Sequence, residues 1–186
     1  MSFILTHKEF LMRLLLICIF AFLTLGCSTN YANQSITGQS FPSIIGESLE
    51  KKVVNIPEDF KGKTTLLLIG YKQNSQFDID RWLIGLDMTN TIVDVYEIPT
   101  IQGLFPQMFS TMIDNGMRAG IPKSLWKGVI TVYQDGEKVQ AYTGNENPNS
   151  ARVVLLNENG IVLYMYDEGF SVEALNQVRS LLPDNK

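Results

Sequence analysis

The sequence predicts a three-layer α/β sandwich with a central mixed sheet flanked by helices, on three observations. A continuous apolar run, TTLLLIGY at 64–71, precedes Ile79, Trp82, Leu83 and Leu86 at helical spacing. A second strand pattern at 91–98 precedes a second helical stripe: Phe105, Met108, Phe109, Met112 and Ile113. Two late strand patterns, 152–156 and 161–166, flank the turn Asn157-Glu158-Asn159-Gly160. Strand–helix–strand order demands parallel pairing through crossover helices, whereas a hairpin demands antiparallel pairing. A sheet holding both is mixed.

The N-terminus reads as an address rather than as fold. Arg13 is followed by LLLICIFAFLTL at 14–25, then by Gly26-Cys27. Twelve apolar residues are short of the roughly 20 that a spanning helix needs and suit the core of a secretory signal. A small residue before a cysteine fits a lipoprotein cleavage site. Residues 1–26 are therefore expected to be removed, and Cys27 to carry a thioether-linked diacylglyceryl group. Two or more chains anchor stably, at about 0.8 kcal/mol per buried CH₂. Membrane lipid, reached through Cys27, is the first expected partner, with the protein on the periplasmic side. Ser28 after the cysteine resembles the outer-membrane sorting pattern.

Processing empties the reactive inventory. The chain has two cysteines and one histidine. Cys18 and His7 leave with the signal, and Cys27 is acylated. Free-thiol redox chemistry, disulfide frameworks, His-based metal sites and Ser-His or Cys-His catalysis are excluded together. The formal charge of −4 loses two cations (Lys8, Arg13) and one carboxylate (Glu9), hence −5 in the mature form. An acidic chain without a basic tract does not read as a nucleic-acid binder. The 160 residues left after removing 26 from 186 suit one domain burying roughly 70% of its unfolded surface.

Residues 27–40, polar and turn-rich, are expected to be a flexible tether with an r.m.s. span of about 20 Å and a limit near 45 Å. The domain then occupies 41–186. Residues 49–56 read as a short edge strand closed by Pro57. The 64–71 strand, apolar throughout, is expected to be covered on both faces. The stripe beginning at Phe105 ends at Gly116 or Gly120, with Pro122 beyond. Residues 128–133 form another strand, and Asp135-Gly136 signals a hairpin. Ser171 caps a last helix that buries Leu175, Val178 and Leu182.

Phe41-Pro42, Leu49 and Phe60-Lys61-Gly62-Lys63 leading into TTLLLIGY resemble the entry of extracytoplasmic thioredoxin-like and peroxiredoxin-like domains. LLNENGI at 155–161 resembles their closing hairpin, so the likeness spans most of residues 40–182. In those enzymes the reactive cysteines occupy the turn corresponding to 71–76, and a cis-proline faces them before the hairpin. Here the turn holds no cysteine, and the aligned position falls near Ser150-Ala151, with Pro148 too early. Copper-delivering relatives are excluded on the same ground. A cysteine-independent branch, the mitochondrial ATP synthase assembly factor numbered ten in its series, is similar in the segment 97–122 and in the closing hairpin and helix. Met117-Arg118, Ile121-Pro122 and Gly160 carry that likeness. It implies a membrane-associated chaperone of complex assembly with a protein client.

The candidate partner-binding residues are Tyr71, Lys72, Gln73 and Gln76 in the turn, and Arg118. No catalytic residue, cofactor or metal is expected. Ser75 with Lys72 matches no nucleophile motif. Asp78 and Asp80 stand two apart and make a poor metal pair. Asn157 to Gly160 lacks the leading Asp of a calcium loop. Met108, Phe109 and Met112 are read as core, with a client groove as the alternative. Trp82 and Trp126 are read as packing. The leading function is a tethered, non-redox thioredoxin-like binding or assembly module. The alternatives are a thiol-independent enzyme and a structural envelope lipoprotein.

Overall fold

The computed structural model describes residues 29–103 and 107–183, together with Phe10, Met12 and Arg13. The chain divides into Met1–Asn30 and Tyr31–Lys186, and the second unit is the domain. The apolar run at 14–25, expected to be a signal core, and Cys27 lie outside the described residues. Among those described, no helix is long and apolar enough to cross a membrane.

Four strands form the central sheet in the order β4-β3-β6-β7: β4 Asp94–Pro99, β3 Thr65–Gly70, β6 Arg152–Leu156 and β7 Val162–Tyr166. β3 pairs parallel with β4 and antiparallel with β6, and β6 pairs antiparallel with β7. The expected mixed sheet is present. A second sheet, β2-β1-β5, joins β1 Ile44–Ser48 to β2 Val53–Ile56 and to β5 Ile130–Thr131. Parallel bridges Glu97–Val129 and Thr100–Val132 connect it to β4.

All of β3 is buried, as its unbroken apolar run demands. Side chains alternate across a strand, so Leu66 and Leu68 enter one core with Val153 and Leu155. Helix α1 (Gln76–Met88) covers that core with Ile79, Trp82 and Leu86, and helix α4 (Val172–Ser180) with Ala174, Leu175 and Val178. Trp82 is fully buried with its indole N–H lacking an acceptor, and its ring meets Phe170 edge-on at 5.5 Å. Leu67 and Ile69 face the other core, with Val154, Ile44, Ile56, Phe60 and Val139. Ser171 Oγ accepts from the Ala174 N–H at 3.0 Å and starts α4 as expected.

Four expectations need correction. Residues 31–40 are not a free tether: Ile36 is 2% exposed in the second core, and the Phe41 N–H donates to Gly160 O at 2.9 Å. Residues 44–56 fold as two hairpin-linked strands rather than one. Asp135-Gly136 opens helix α3 (Gly136–Thr143) rather than a hairpin. Finally, Met108, Phe109 and Met112 lie 77%, 50% and 67% exposed beside and on helix α2 (Ser110–Gly120), not in the core.

Candidate functional site

At the C-terminal end of β3 the chain doubles back at once. A Cβ on Gly70 would stand 2.5 Å from Ser75 Oγ, so any side chain there would displace the hydroxyl that closes the turn. Ser75 donates its hydroxyl proton to Lys72 O at 2.6 Å, and its N–H also donates to Lys72 O, at 3.0 Å. That hydroxyl holds the turn together and is not aimed at a base. A 3-10 turn, Gln73–Ser75, then runs into α1.

Lys72, Gln73 and Gln76 are exposed on the turn. Gln76 Nε2 donates to Asp80 Oδ1 at 3.0 Å and to Glu97 Oε2 at 3.2 Å. Burial raises the Glu97 carboxyl above its ordinary value, against the hydrogen bond from Gln76. Beside the turn lies a groove of about 480 Å³, walled by Ile79, Pro99, Ile101, Ile113 and Met117. The turn thus forms the polar rim of an apolar groove whose far wall is α2.

Tyr71 also lines the groove, but its hydroxyl is engaged within the domain. Its hydroxyl bonds to Thr143 Oγ1, and burial pushes its pKa up to about 12 although that bond and Arg152 oppose the shift. The Arg152 guanidinium lies 4.8 Å from the centre of the Tyr71 ring, as strand parity dictates: Arg152 pairs with Ile69, two residues before Tyr71. Arg152 is fully buried and donates to the carbonyls of Gly144, Asn147 and Ser150. Its Nη2 faces Asp167 Oδ2 at 3.5 Å, and Asp167 also accepts from Asn33 Nδ2 at 2.6 Å. Burial lowers the Arg152 pKa, and the charges of Tyr71 and Asp167 resist that. Tyr71 therefore braces the turn from below and presents no hydroxyl to a partner.

Arg118 is not brought to the turn. It sits at the opposite side of α2, where Nε donates to Leu49 O at 2.7 Å and Nη1 to Asn115 Oδ1 at 2.9 Å. Sequence reading weighed Asp78 only against a metal role and missed what it does, buried beneath the first turn of α1. It accepts from the Ala151 N–H at 2.9 Å and the Phe170 N–H at 2.5 Å, tying α1 to the entrance of β6. It also missed Arg152, whose only signal was a lone charge heading an apolar run. Among the described residues the cis peptide bond is Ile56–Pro57, so the loop before β6 carries none. No group of His, Cys, Asp or Glu able to hold a metal occurs among them.

The order β4-β3-β6-β7, with α1 springing from the β3 turn and α4 on the same face, defines the thioredoxin-like fold. Solved structures share it. A thiol peroxidase from Chromobacterium violaceum is similar with a TM-score of 0.53 at 13% identity, over 81% of this chain and 90% of that one. The pneumococcal exposed lipoprotein thioredoxin of Streptococcus pneumoniae is similar with a TM-score of 0.53 at 11% identity, over 76% and 100%. A putative protein disulfide isomerase from Bacteroides thetaiotaomicron gives 0.52 at 13% identity, over 83% and 91%. At these identities the likeness concerns the fold alone. No family model matches the chain, and no curated protein matches it.

Proposed function

We propose that this chain is a non-redox binding module: a thioredoxin-like domain that captures a polypeptide in the groove beside its 71–76 turn. One observation supports the reading above the rest. The turn keeps a tight, glycine-dependent shape against an apolar groove while carrying no cysteine, histidine or carboxylate. A surface with that shape and no reactive group is suited to holding a partner, not transforming it. The exposed Met108, Phe109 and Met112 extend the apolar surface next to the groove, and methionine's unbranched thioether adapts to varied side chains.

The signal pattern and Gly26-Cys27-Ser28 support a lipid anchor at Cys27, the periplasmic side and an outer-membrane address. In that setting the module serves as an assembly factor or chaperone for an envelope complex. The test is site-specific crosslinking in cells, with a photoreactive residue at Gln73. A reproducible adduct is expected, reduced at least about fivefold when Met117→Lys places a charge in the groove wall. An adduct insensitive to Met117→Lys, or none from positions 72, 73 and 76, sinks the proposal.

A further inference from the structure

On the far side of α2 from the groove, the turn joining β1 to β2 and the 3-10 segment Lys123–Gly128 enclose a hollow of about 580 Å³. Leu49, Glu50, Lys51, Lys52, Arg118 and Trp126 are among its walls. Lys127 adds its charge from the same segment: the Glu50 carboxyl is held below its ordinary value by the hydrogen bond and charge of Lys52, then by Lys127 and Lys123. Among the walls four cations thus meet one carboxylate, and Lys52 already pairs with it at 2.9 Å. The walls carry a formal +3 on a chain of −4, so the remainder carries −7. We propose that this hollow is a second binding site, one that takes an acidic polypeptide segment.

Shape and charge together select that occupant. A concavity lined by one sign of charge focuses the field and draws the opposite charge. Its hollow form, between two ridges, accepts an extended chain, whereas a bilayer surface meets protrusions. Arg118 spends Nε on Leu49 O and one Nη1 proton on Asn115, which commits its side-on Nε edge and leaves its charge and remaining Nη protons for a ligand. The lysines supply separate point charges, which suits carboxylates spaced along a chain. Trp126, its indole N–H donating to Ile121 O at 2.9 Å, adds an apolar wall for the aliphatic stems of glutamates. Lys51 adopts φ +65°, a conformation that glycine reaches at less cost. A charged residue therefore stands where the fold alone favours glycine.

The site goes beyond the groove reading and is tested separately from it. Full-length protein in neutral detergent is titrated with a fluorescein-labelled polyglutamate peptide by fluorescence anisotropy. Binding is expected at low salt and is expected to weaken about tenfold or more by ~0.3 M NaCl, where exposed charges are strongly screened. Lys123→Glu with Lys127→Glu is expected to cost roughly tenfold, because like charges then face the ligand. The same charge change at Lys61 and Arg81, outside the hollow, should stay within about twofold. Lys51→Gly should weaken binding while the melting temperature holds or rises. Equal losses in the two double variants overturn the proposal, as does no binding at low salt. Anionic vesicles or an oligonucleotide binding as tightly as the peptide, with the same Lys123 and Lys127 dependence, reassign the site to lipid or nucleic acid. Met117→Lys should leave peptide binding unchanged, which separates this result from failure of the groove.

Discussion

Arg152 takes a full charge into the head of an otherwise apolar strand, and three carbonyls, Asp167 and the face of Tyr71 compensate its lost hydration. Replacing it strands that compensation. Arg152→Ala leaves a void and an acidic neighbour with no counter-charge, and breaking a buried pair this way costs about 3–5 kcal/mol. The expected outcome is a large fall in the denaturant midpoint with an unchanged slope; a loss below ~1 kcal/mol would contradict the role given to this residue. Tyr71 gives a pH signature. Its folded pKa, about 12, lies above the ordinary tyrosine value of 10.0. The unfolded chain therefore loses that proton first, so this contribution to stability is complete below pH 10 and is lost as pH rises toward 12. Tyr133 is shifted upward too, chiefly by burial, so a residual alkaline slope is expected. Tyr71→Phe should flatten part of the fall in stability between pH 10 and 12, read from denaturation midpoints; an unaltered slope would place the effect elsewhere. Neither residue's role was legible in the sequence, because a lone arginine before VVLL and a tyrosine ending a strand fit an exposed strand end equally well.

Elements were legible where periodicity and a partner face agreed. β3, α1, β4 and the closing hairpin each combine an apolar pattern with a neighbour that buries it. Asp135-Gly136 misled because its glycine answers a packing demand. A Cβ there would stand 3.0 Å from Ile101 O, and Asp135 Oδ2 accepts from the Ile45 N–H at 2.8 Å. The α2 stripe is real, yet periodicity states only that one face is apolar, not that anything covers it. The strap at 31–40 hid behind its polarity. Ile36, the side-chain amide of Asn33 and backbone hydrogen bonds of Gln34, Gly38 and Gln39 dock it, and a single buried residue leaves no period to read. Ile36→Ala is expected to cost about 2–5 kcal/mol, the range for truncating a buried isoleucine. Hydrogen exchange should show its consequence locally: the Gly38 and Phe41 amides, which donate to Val162 O and Gly160 O, lose protection first. No protection at those two amides in the unsubstituted protein would restore the loose tether that polarity alone suggested, and unchanged protection in the variant would show that Ile36 is not what docks the strap.

At the scale of the molecule, the order of elements announced a three-layer α/β sandwich with a mixed sheet and the resemblance at its entry and closing hairpin made it thioredoxin-like, whereas neither said which surfaces stay open. Openness depends on which side chains a helix leaves uncovered, and the groove and the hollow lie on either side of α2 for that reason. The functional reading rests on an inventory: two cysteines, one expected to leave with the signal and one to be acylated. That makes a sharp expectation for the processed protein. Purified from membranes, denatured and titrated with a thiol reagent, it should yield no free thiol. Its denaturation midpoint should be the same with and without reductant, and it should not reduce insulin disulfides. Cys27→Ser should leave the signal uncut, visible as a heavier chain that no longer incorporates labelled fatty acid. One titratable thiol per chain would mean that Cys27 is not acylated. Sulfur chemistry would then be open to a protein whose 71–76 turn offers none, and its source would be Cys27 rather than the turn.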